Sequence, residues 1–278
     1  MGWVAVTGAN GFIGREVCAV LRAGGGGVIA LQRGGEAGGQ SWSLGQLLPE
    51  DCRSAATVVH LASATLGRAG PERAAAIETD IEGTRLIVEQ LRRWRADGTR
   101  HRFVFVSSQS SRPDAVNAYG RSKWAIEELL DGDDEVILRP GLVYSDPPRS
   151  VFAMFDRLSR LPVVPAVGTR PCIQLVSVRE VADCIARIDA ADRIPRLLML
   201  GAPEPLTFAE ALKATARRAG RRVPITVPLP MKPVRLAARL VDRVLGSTVT
   251  ERLDGVAGLR PIETGPSLSA LGQALERF

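Results

Sequence analysis

Several residue types are scarce in this chain of 278 residues, and each scarcity argues against a class of protein. Two histidines and four cysteines, with no C-x-x-C spacing, predict reduced thiols rather than a disulfide framework, and we predict no metal site. Aromatic residues make up only 5% and show no interleaving with basic ones, so we expect no nucleic-acid partner. No apolar run approaches the ~18 residues of a membrane span.

Lysine is also scarce, although the chain carries a net charge of +6. The positive charge comes from scattered arginines, since lysine occurs only at Lys123, Lys213 and Lys232. Such a balance suits anionic small ligands such as dinucleotides or nucleotide sugars. The first residues lead directly into a strand pattern, so we expect no signal peptide and a cytoplasmic location.

The most informative stretch is Val4–Gly14, where an apolar run meets three glycines spaced G-x-x-G-x-x-G. The pattern predicts a strand, a tight turn at Gly8 and a helix whose N-terminus faces a bound phosphate. Gly11 would leave room for a pyrophosphate, and Gly14 would let the helix pack closely on the strand. An ordinary glycine turn is the alternative, because such a triplet alone is weak evidence.

Strand and helix patterns alternate along the first half of the chain and predict an α/β fold. We expect a Rossmann-type, doubly wound parallel sheet with its ligand at the carboxyl ends of the strands. After Pro147-Pro148 the alternation becomes less regular. We therefore predict a dinucleotide-binding domain over 1–147 and a smaller mixed substrate lobe over 148–278. The two are expected to be intertwined, because segments around 172–200 should add to the sheet of the first. A short strand or helical turn is expected at Trp42–Leu48.

The residues after the second strand bear on the choice of cofactor. Val28–Leu31 is followed by Gln32 and Arg33, where an NAD site places a carboxylate for the adenosine ribose. Gln32 has no charge, and Arg33 could pair with a 2′-phosphate. NADP is therefore favoured over NAD, unless Arg33 is only a solvated loop residue.

Tyr119 and Lys123 lie four residues apart in a predicted helix and so share one face. The ammonium is predicted to lower the tyrosine pKa, which would make Tyr119 a general acid/base for a carbonyl–alcohol couple. Ser108, at the end of the preceding strand, could hydrogen-bond the same substrate oxygen. The alternative is a surface helix without a catalytic role.

Taken with the glycine turn, these motifs resemble the extended short-chain dehydrogenase/reductase family, in the branch of NAD-dependent, nucleotide-sugar epimerases and dehydratases. The resemblance covers roughly residues 3–210. Its further motifs are His60-Leu61-Ala62-Ser63, Glu82-Gly83-Thr84, Val106-Ser107-Ser108, Arg139-Pro140-Gly141-Leu142-Val143-Tyr144 and Leu175-Val176-Ser177-Val178-Arg179-Glu180-Val181-Ala182.

The resemblance implies a role for each matching position. Ser108, Tyr119 and Lys123 would be the catalytic set, with Lys123 also holding the nicotinamide ribose. The pyrophosphate would lie against Gly8, Asn10, Gly11, Phe12, Ile13 and Gly14. The remaining cofactor contacts would come from Gln32, Arg33, Leu61, Ala62, Ser63, Pro140 and Val143.

The chain departs from the family pattern in ways that bear on the reaction. Asp80 replaces a usual asparagine, and Gln109 and Ser110 stand where 4,6-dehydratases place an extra carboxylic acid. The interval between Ser108 and Tyr119 is also shorter than in sugar-nucleotide epimerases. Dehydration is therefore disfavoured, and epimerisation and net reduction remain open. A non-catalytic dinucleotide-binding regulatory or assembly protein is the alternative function.

The C-terminal part carries one pattern of its own, an amphipathic helix over Met231–Leu245. Arg235, Arg239 and Arg243 repeat at four-residue spacing along it. Such a helix could lie on an acidic membrane. We favour a solvated face over the substrate lobe, with a small-molecule substrate and a homodimer as the only expected partners.

Overall fold

The computed structural model describes residues 2–34, 39–64, 70–245 and 249–275, and its centre is a seven-stranded parallel sheet. The strand order is β10-β6-β5-β4-β1-β2-β3. The strands of this sheet are β1 (Trp3–Thr7), β2 (Gly27–Gln32), β3 (Gln40–Ser41), β4 (Ala55–His60), β5 (Arg102–Val106), β6 (Glu135–Pro140) and β10 (Leu197–Leu200). The predicted doubly wound Rossmann-type sheet is confirmed.

Helices cover both faces of the sheet because its central strands are apolar on both sides. One apolar cluster joins β1 to α1 (Phe12–Ala23) and α5 (Val178–Ala190), and a second joins the opposite face to α2 (Gly70–Ala96) and α3 (Ala118–Glu127). A 3-10 helix, Glu50–Ser54, precedes β4. Trp42–Leu48 is an irregular turn, so the prediction of a strand or helix there was wrong; the short strand is β3.

A third apolar cluster forms the smaller C-terminal lobe. It is built around Phe155 and Phe208, whose ring centroids lie 5.1 Å apart. Two small sheets flank it, one pairing β7 with β9 and the other β8 with β11. Its elements are β7 (Leu142–Tyr144), α4 (Phe152–Leu158), β8 (Val163–Val167), β9 (Leu175–Ser177), α6 (Phe208–Arg218), β11 (Ile225–Leu229), α7 (Met231–Leu245) and α8 (Val249–Ala257).

The last helix, α9 (Gly265–Leu271), returns from this lobe to the central sheet. Leu271 joins the first apolar cluster, and the Ser267 hydroxyl accepts the backbone N–H of Met199 in β10 at 2.8 Å. The Gln273 amide donates to the Glu180 carbonyl at 3.0 Å. The domain division at 147/148 stays a prediction.

The orientation of α7 differs from the sequence-based expectation. Arg235 turns inward and pairs with Asp254, whereas Leu236, Leu240 and Val244 face solvent. Arg239 and Arg243 are exposed as expected, and an exposed apolar stripe that the sequence analysis did not predict runs beside them. None of the described helices combines the length and apolar character needed to cross a bilayer.

Candidate functional site

The glycine turn after β1 has the close contacts that its sequence predicts. Gly8 has φ +68°, and a Cβ added there would lie 2.9 Å from the Ala62 nitrogen. A Cβ on Gly14 would come closer than 3.0 Å to the Gly8 carbonyl oxygen. Both positions therefore exclude side chains, and Gly14 permits close packing on the turn itself.

The N-terminus of α1 offers a set of backbone donors beside this turn. Gly11 is the N-cap and supplies no capping side chain, and the first turn contains no acidic residue. The N–H groups of Phe12, Ile13 and Gly14 have no intrahelical acceptor. Together with the helix dipole, these donors fit a pyrophosphate, so the turn suits the dinucleotide that the sequence predicts. Asn10 is exposed next to them, and its carbonyl accepts from Arg15 Nε at 2.9 Å.

The turn lies at the switch point of the sheet, between β1 and β4. The Thr7 hydroxyl oxygen accepts the backbone N–H groups of Leu61 and Ala62, each at 3.2 Å. Leu61, Ala62 and Ser63 are partly exposed at the carboxyl end of β4. This places all three beside Gly8, as a ligand spanning the switch point would require.

His60, at the end of β4, is held neutral by its surroundings. Burial, followed by the nearby charge of Lys123, lowers its pKa from 6.5 to about 3. The Thr84 hydroxyl donates to the Asp80 carbonyl at 2.6 Å, so it must accept from His60 Nε2 at 3.1 Å. His60 Nδ1 is then the acceptor for the Thr7 hydroxyl at 2.8 Å. The histidine thus links the cofactor turn to α2.

The residues at the end of β2 are those that the sequence analysis expects to distinguish NADP from NAD. Gln32 is buried, its backbone carbonyl accepting the Trp42 N–H at 2.9 Å, while Arg33 is exposed in the following turn. Arg33 forms no ion pair with a described residue. Arg33 is therefore accessible to an anion, whereas Gln32 packs beneath the turn against Gly39.

The three predicted catalytic residues come together at the carboxyl edge of the sheet. Ser108 follows β5 and Tyr119 begins α3, and both are partly exposed. Lys123 is buried; its ammonium donates to the Val106 carbonyl at 3.2 Å and lies 4.6 Å from the centroid of the Phe105 ring. The Lys123 nitrogen is 5.9 Å from the Tyr119 ring centroid, so the pair shares one face of α3 as predicted.

The electrostatics at Tyr119 differ from the prediction. Burial, followed by the charge of Asp80, raises the tyrosine pKa from 10.0 to about 12, and this outweighs the opposing effects of Ser108 and Arg73. Burial also lowers the pKa of Lys123, although Asp80 and Glu127 oppose that change. The prediction that the Lys123 ammonium would lower the pKa of Tyr119 was wrong for this structure, because burial and the Asp80 carboxylate raise it.

Asp80, which replaces the family's usual asparagine, organises the loop after β4. It is 3% exposed, and its carboxylate accepts the Ser63 hydroxyl at 2.6 Å and the Ala64 N–H at 2.5 Å. Ser63 belongs to the segment expected to line the nicotinamide side, and Ala64 follows it directly. The Asp80 carboxylate therefore orders this part of the loop and brings a negative charge close to Tyr119.

A buried ion pair supports the helix below Lys123. The Glu127 carboxylate accepts the Arg139 Nε at 3.0 Å and also the Ser107 hydroxyl. Glu127 is 4% exposed. Sequence reasoning missed this residue, although its position four residues after Lys123 places it on the same face of α3.

Gln109 does not occupy the position of a catalytic acid. It is 3% exposed, and its amide donates to the carbonyls of Cys172 at 2.9 Å and Arg260 at 2.7 Å. Gln174 binds Ile262 through both its oxygen (2.7 Å) and its nitrogen (2.9 Å). The two glutamines thus fasten segment 260–262 to the sheet.

The remaining predicted positions lie at the end of β6 and just beyond it. Pro140 is buried as the last residue of β6, and Val143, in β7, is partly exposed. Their contact with a cofactor stays a prediction. The described residues contain no group of three or more His, Cys, Asp or Glu side chains arranged for a metal ion.

Comparison with solved structures shows that this chain shares its fold with several of them. Human epimerase family protein SDR39U1, solved with NADPH, gives a TM-score of 0.73 at 19% identity over 99% of this chain and 95% of that one. The UDP-N-acetylglucosamine 4-epimerase of Bacillus cereus gives 0.71 at 15% over 100% and 95%. MoeE5, in complex with UDP-glucuronic acid and NAD, gives 0.71 at 22% over 100% and 95%.

Comparison by sequence identifies the family. Curated protein sequences give no match. The model of the NAD dependent epimerase/dehydratase family, in contrast, matches residues 4–191, which is more than half of the chain and includes the glycine turn and the Ser108, Tyr119 and Lys123 set. The chain therefore belongs to the NAD dependent epimerase/dehydratase family.

Proposed function

We propose that this protein is an NAD(P)-dependent oxidoreductase that reduces a ketone to a secondary alcohol, with Tyr119 as the proton donor. The observation that supports this direction is the pKa of Tyr119, which burial and then Asp80 raise to about 12, so that its hydroxyl resists ionisation even well above neutral pH. A protonated phenol donates to a carbonyl oxygen but does not abstract a proton from an alcohol. Net reduction is therefore favoured over epimerisation.

Each residue of the set has a distinct task in this reaction. A reduced nicotinamide, held at the glycine turn, would supply a hydride for the carbonyl carbon. Tyr119 donates its proton to the carbonyl oxygen, and Ser108 hydrogen-bonds the same oxygen. Lys123 provides a buried positive charge that stabilises the resulting phenolate, and Asp80 and Glu127 favour its charged form. One hydride and one proton thus convert the ketone to the alcohol.

We infer that the substrate resembles a nucleotide sugar and that NADP is the preferred cofactor. The net charge of +6 favours an anionic substrate, and two structural neighbours carry UDP-sugars in their names. Arg33 supports NADP because it is exposed at the strand end where a 2′-phosphate would lie.

Cofactor preference is tested by titrating the purified protein with NADPH and with NADH and following nicotinamide fluorescence. We expect tighter binding of NADPH and loss of that preference in Arg33→Ala. Arg193→Ala is the matched control, because this exposed arginine precedes β10 and so lies at the opposite edge of the sheet. Tighter binding of NADH would overturn the role of Arg33, and binding of neither would overturn the whole proposal.

Reduction is tested with a panel of keto-sugar nucleotides and NADPH. We expect one NADP⁺ for each molecule of alcohol formed, and Tyr119→Phe should bind NADPH normally but lose turnover. A product epimer without net oxidation of the cofactor would establish epimerisation instead. Cofactor binding with unchanged turnover in Tyr119→Phe would remove its catalytic role, and binding without any turnover across the panel would support a regulatory or assembly function.

A further inference from the structure

The solvent-facing side of α7 is apolar along its length. Leu236, Leu240 and Val244 are 62%, 54% and 78% exposed, and their four-residue spacing puts them on one side of the helix. The opposite side is also apolar, since Ala238 is buried and Val234 packs against the lobe cluster. One side of α7 therefore packs against the C-terminal lobe, and the other side has no packing partner among the described residues.

The strand that leads into α7 also carries exposed apolar side chains. Ile225, Val227 and Leu229 alternate along β11 and are 66%, 42% and 42% exposed. Val163 of the neighbouring strand β8 pairs with Ile225 and is 51% exposed. Eight of the fourteen exposed large hydrophobic residues in the described part of the chain lie between 223 and 244. Such clustering on a soluble domain marks an interaction surface rather than scattered exposure.

Positive charges run beside the apolar stripe. Lys232, Arg239 and Arg243 are exposed, and at 100° per residue they fall between the apolar stripe and the buried side of the helix. None of the three forms an ion pair with a described residue. The acidic residue of the helix, Asp242, accepts the N–H groups of Val249 and Thr250 at 2.7 and 2.9 Å, so its carboxylate is engaged at the start of α8.

We propose that α7 and the outer face of β11 dock this protein onto an anionic membrane surface. A helix with an apolar side bordered by basic residues is suited to the boundary between lipid head groups and acyl chains. A second copy of the chain is a poorer occupant, because a two-fold contact would bring the same three positive charges together. The membrane would receive the apolar side chains and neutralise these charges.

The test is co-sedimentation of the full chain with vesicles of phosphatidylcholine alone and with phosphatidylserine added. We expect binding only to the anionic vesicles, weakened by salt. Arg239→Gln/Arg243→Gln should weaken binding by about 25-fold, since each charge near an anionic surface contributes about fivefold. Leu236→Ser/Val244→Ser should abolish it. Leu47→Ser, at an exposed position outside the patch, and Arg193→Gln are the matched controls.

Cofactor binding serves as the check on folding, because the altered side chains lie outside the proposed cofactor site. All variants should bind NADPH or NADH as the unaltered protein does. Equal binding to neutral and anionic vesicles, or no binding to either, would overturn the proposal. A concentration-dependent dimer in ultracentrifugation that Leu236→Ser/Val244→Ser disrupts would assign the surface to a second copy instead.

Discussion

Replacing Asp80 by asparagine removes one negative charge near Tyr119 and keeps the size of the side chain. The asparagine oxygen can still accept the Ala64 N–H, and its NH2 group can donate to the Ser63 hydroxyl, which then rotates to become an acceptor. The loop should therefore remain ordered, so that any change in Tyr119 reports on charge.

The size of the effect follows from the pKa of Tyr119. Its value of about 12 lies two units above 10.0, which corresponds to about 2.7 kcal/mol against the phenolate. Burial accounts for the largest part, and Asp80 is the next contributor. We expect Asp80→Asn to lower the pKa of Tyr119 by about one unit, or about 1.4 kcal/mol.

The measurement is simplified because the chain contains only two tyrosines. In a Tyr144→Phe background, tyrosinate absorbance after rapid alkaline pH jumps reports on Tyr119 before the protein unfolds. Glu78→Gln is the control, because Glu78 is an exposed carboxylate on the same helix as Asp80. An unchanged or higher pKa in Asp80→Asn would refute the assignment of this carboxylate as the charge that keeps Tyr119 protonated.

Three further predictions concern stability and the cofactor turn. The pKa of His60 is about 3 in the folded protein and 6.5 ordinarily, so below pH 6.5 the unfolded chain takes up a proton that the folded chain does not. The free energy of unfolding should therefore fall by about 1.4 kcal/mol per pH unit between pH 6.5 and pH 3. Urea unfolding should show a shallower dependence on pH in His60→Asn. In the same assay, Arg139→Leu should lower the free energy of unfolding by about 3–5 kcal/mol, because it leaves Glu127 buried and unpaired. The double variant Arg139→Leu/Glu127→Leu should regain most of this stability. Gly14→Ala should abolish NADPH binding, whereas Gly265→Ala, where a Cβ meets nothing within 4 Å, should preserve it.

The sequence predicts most of the central sheet because its strands are short, buried apolar runs between glycine turns and amphipathic helices. It misses β8 and β11 because each five-residue strand contains a proline, Pro165 or Pro228, which argues against a strand in the sequence. It also places α7 at Met231–Leu245 correctly, but it does not predict the exposed apolar stripe or the pairing of Arg235 with Asp254 from the next helix. Such a contact between separate elements leaves no periodic signal.

In the candidate site, too, the sequence predicts some features and not others. Local spacing is enough to bring Tyr119 and Lys123 to one face of α3, and the glycine spacing is enough to locate the turn. The raised pKa of Tyr119 comes first from burial and then from Asp80, which lies 39 positions earlier and is brought near by the packing of α2 and α3. Charges assembled from distant segments therefore decide properties that a local motif cannot specify.

The return of α9 to the central sheet has a consequence for motion and for synthesis. Because the chain leaves the sheet after β6, returns at α5 and β10, leaves again and is held to the sheet by Ser267 and Gln273, several connections join the C-terminal lobe to the sheet. Any closure of the C-terminal lobe over a substrate must change the backbone at two or more of these connections at once. This restricts the motion to a hinge about one axis. During translation, the sheet cannot gain α9 until residues 265–271 have left the ribosome.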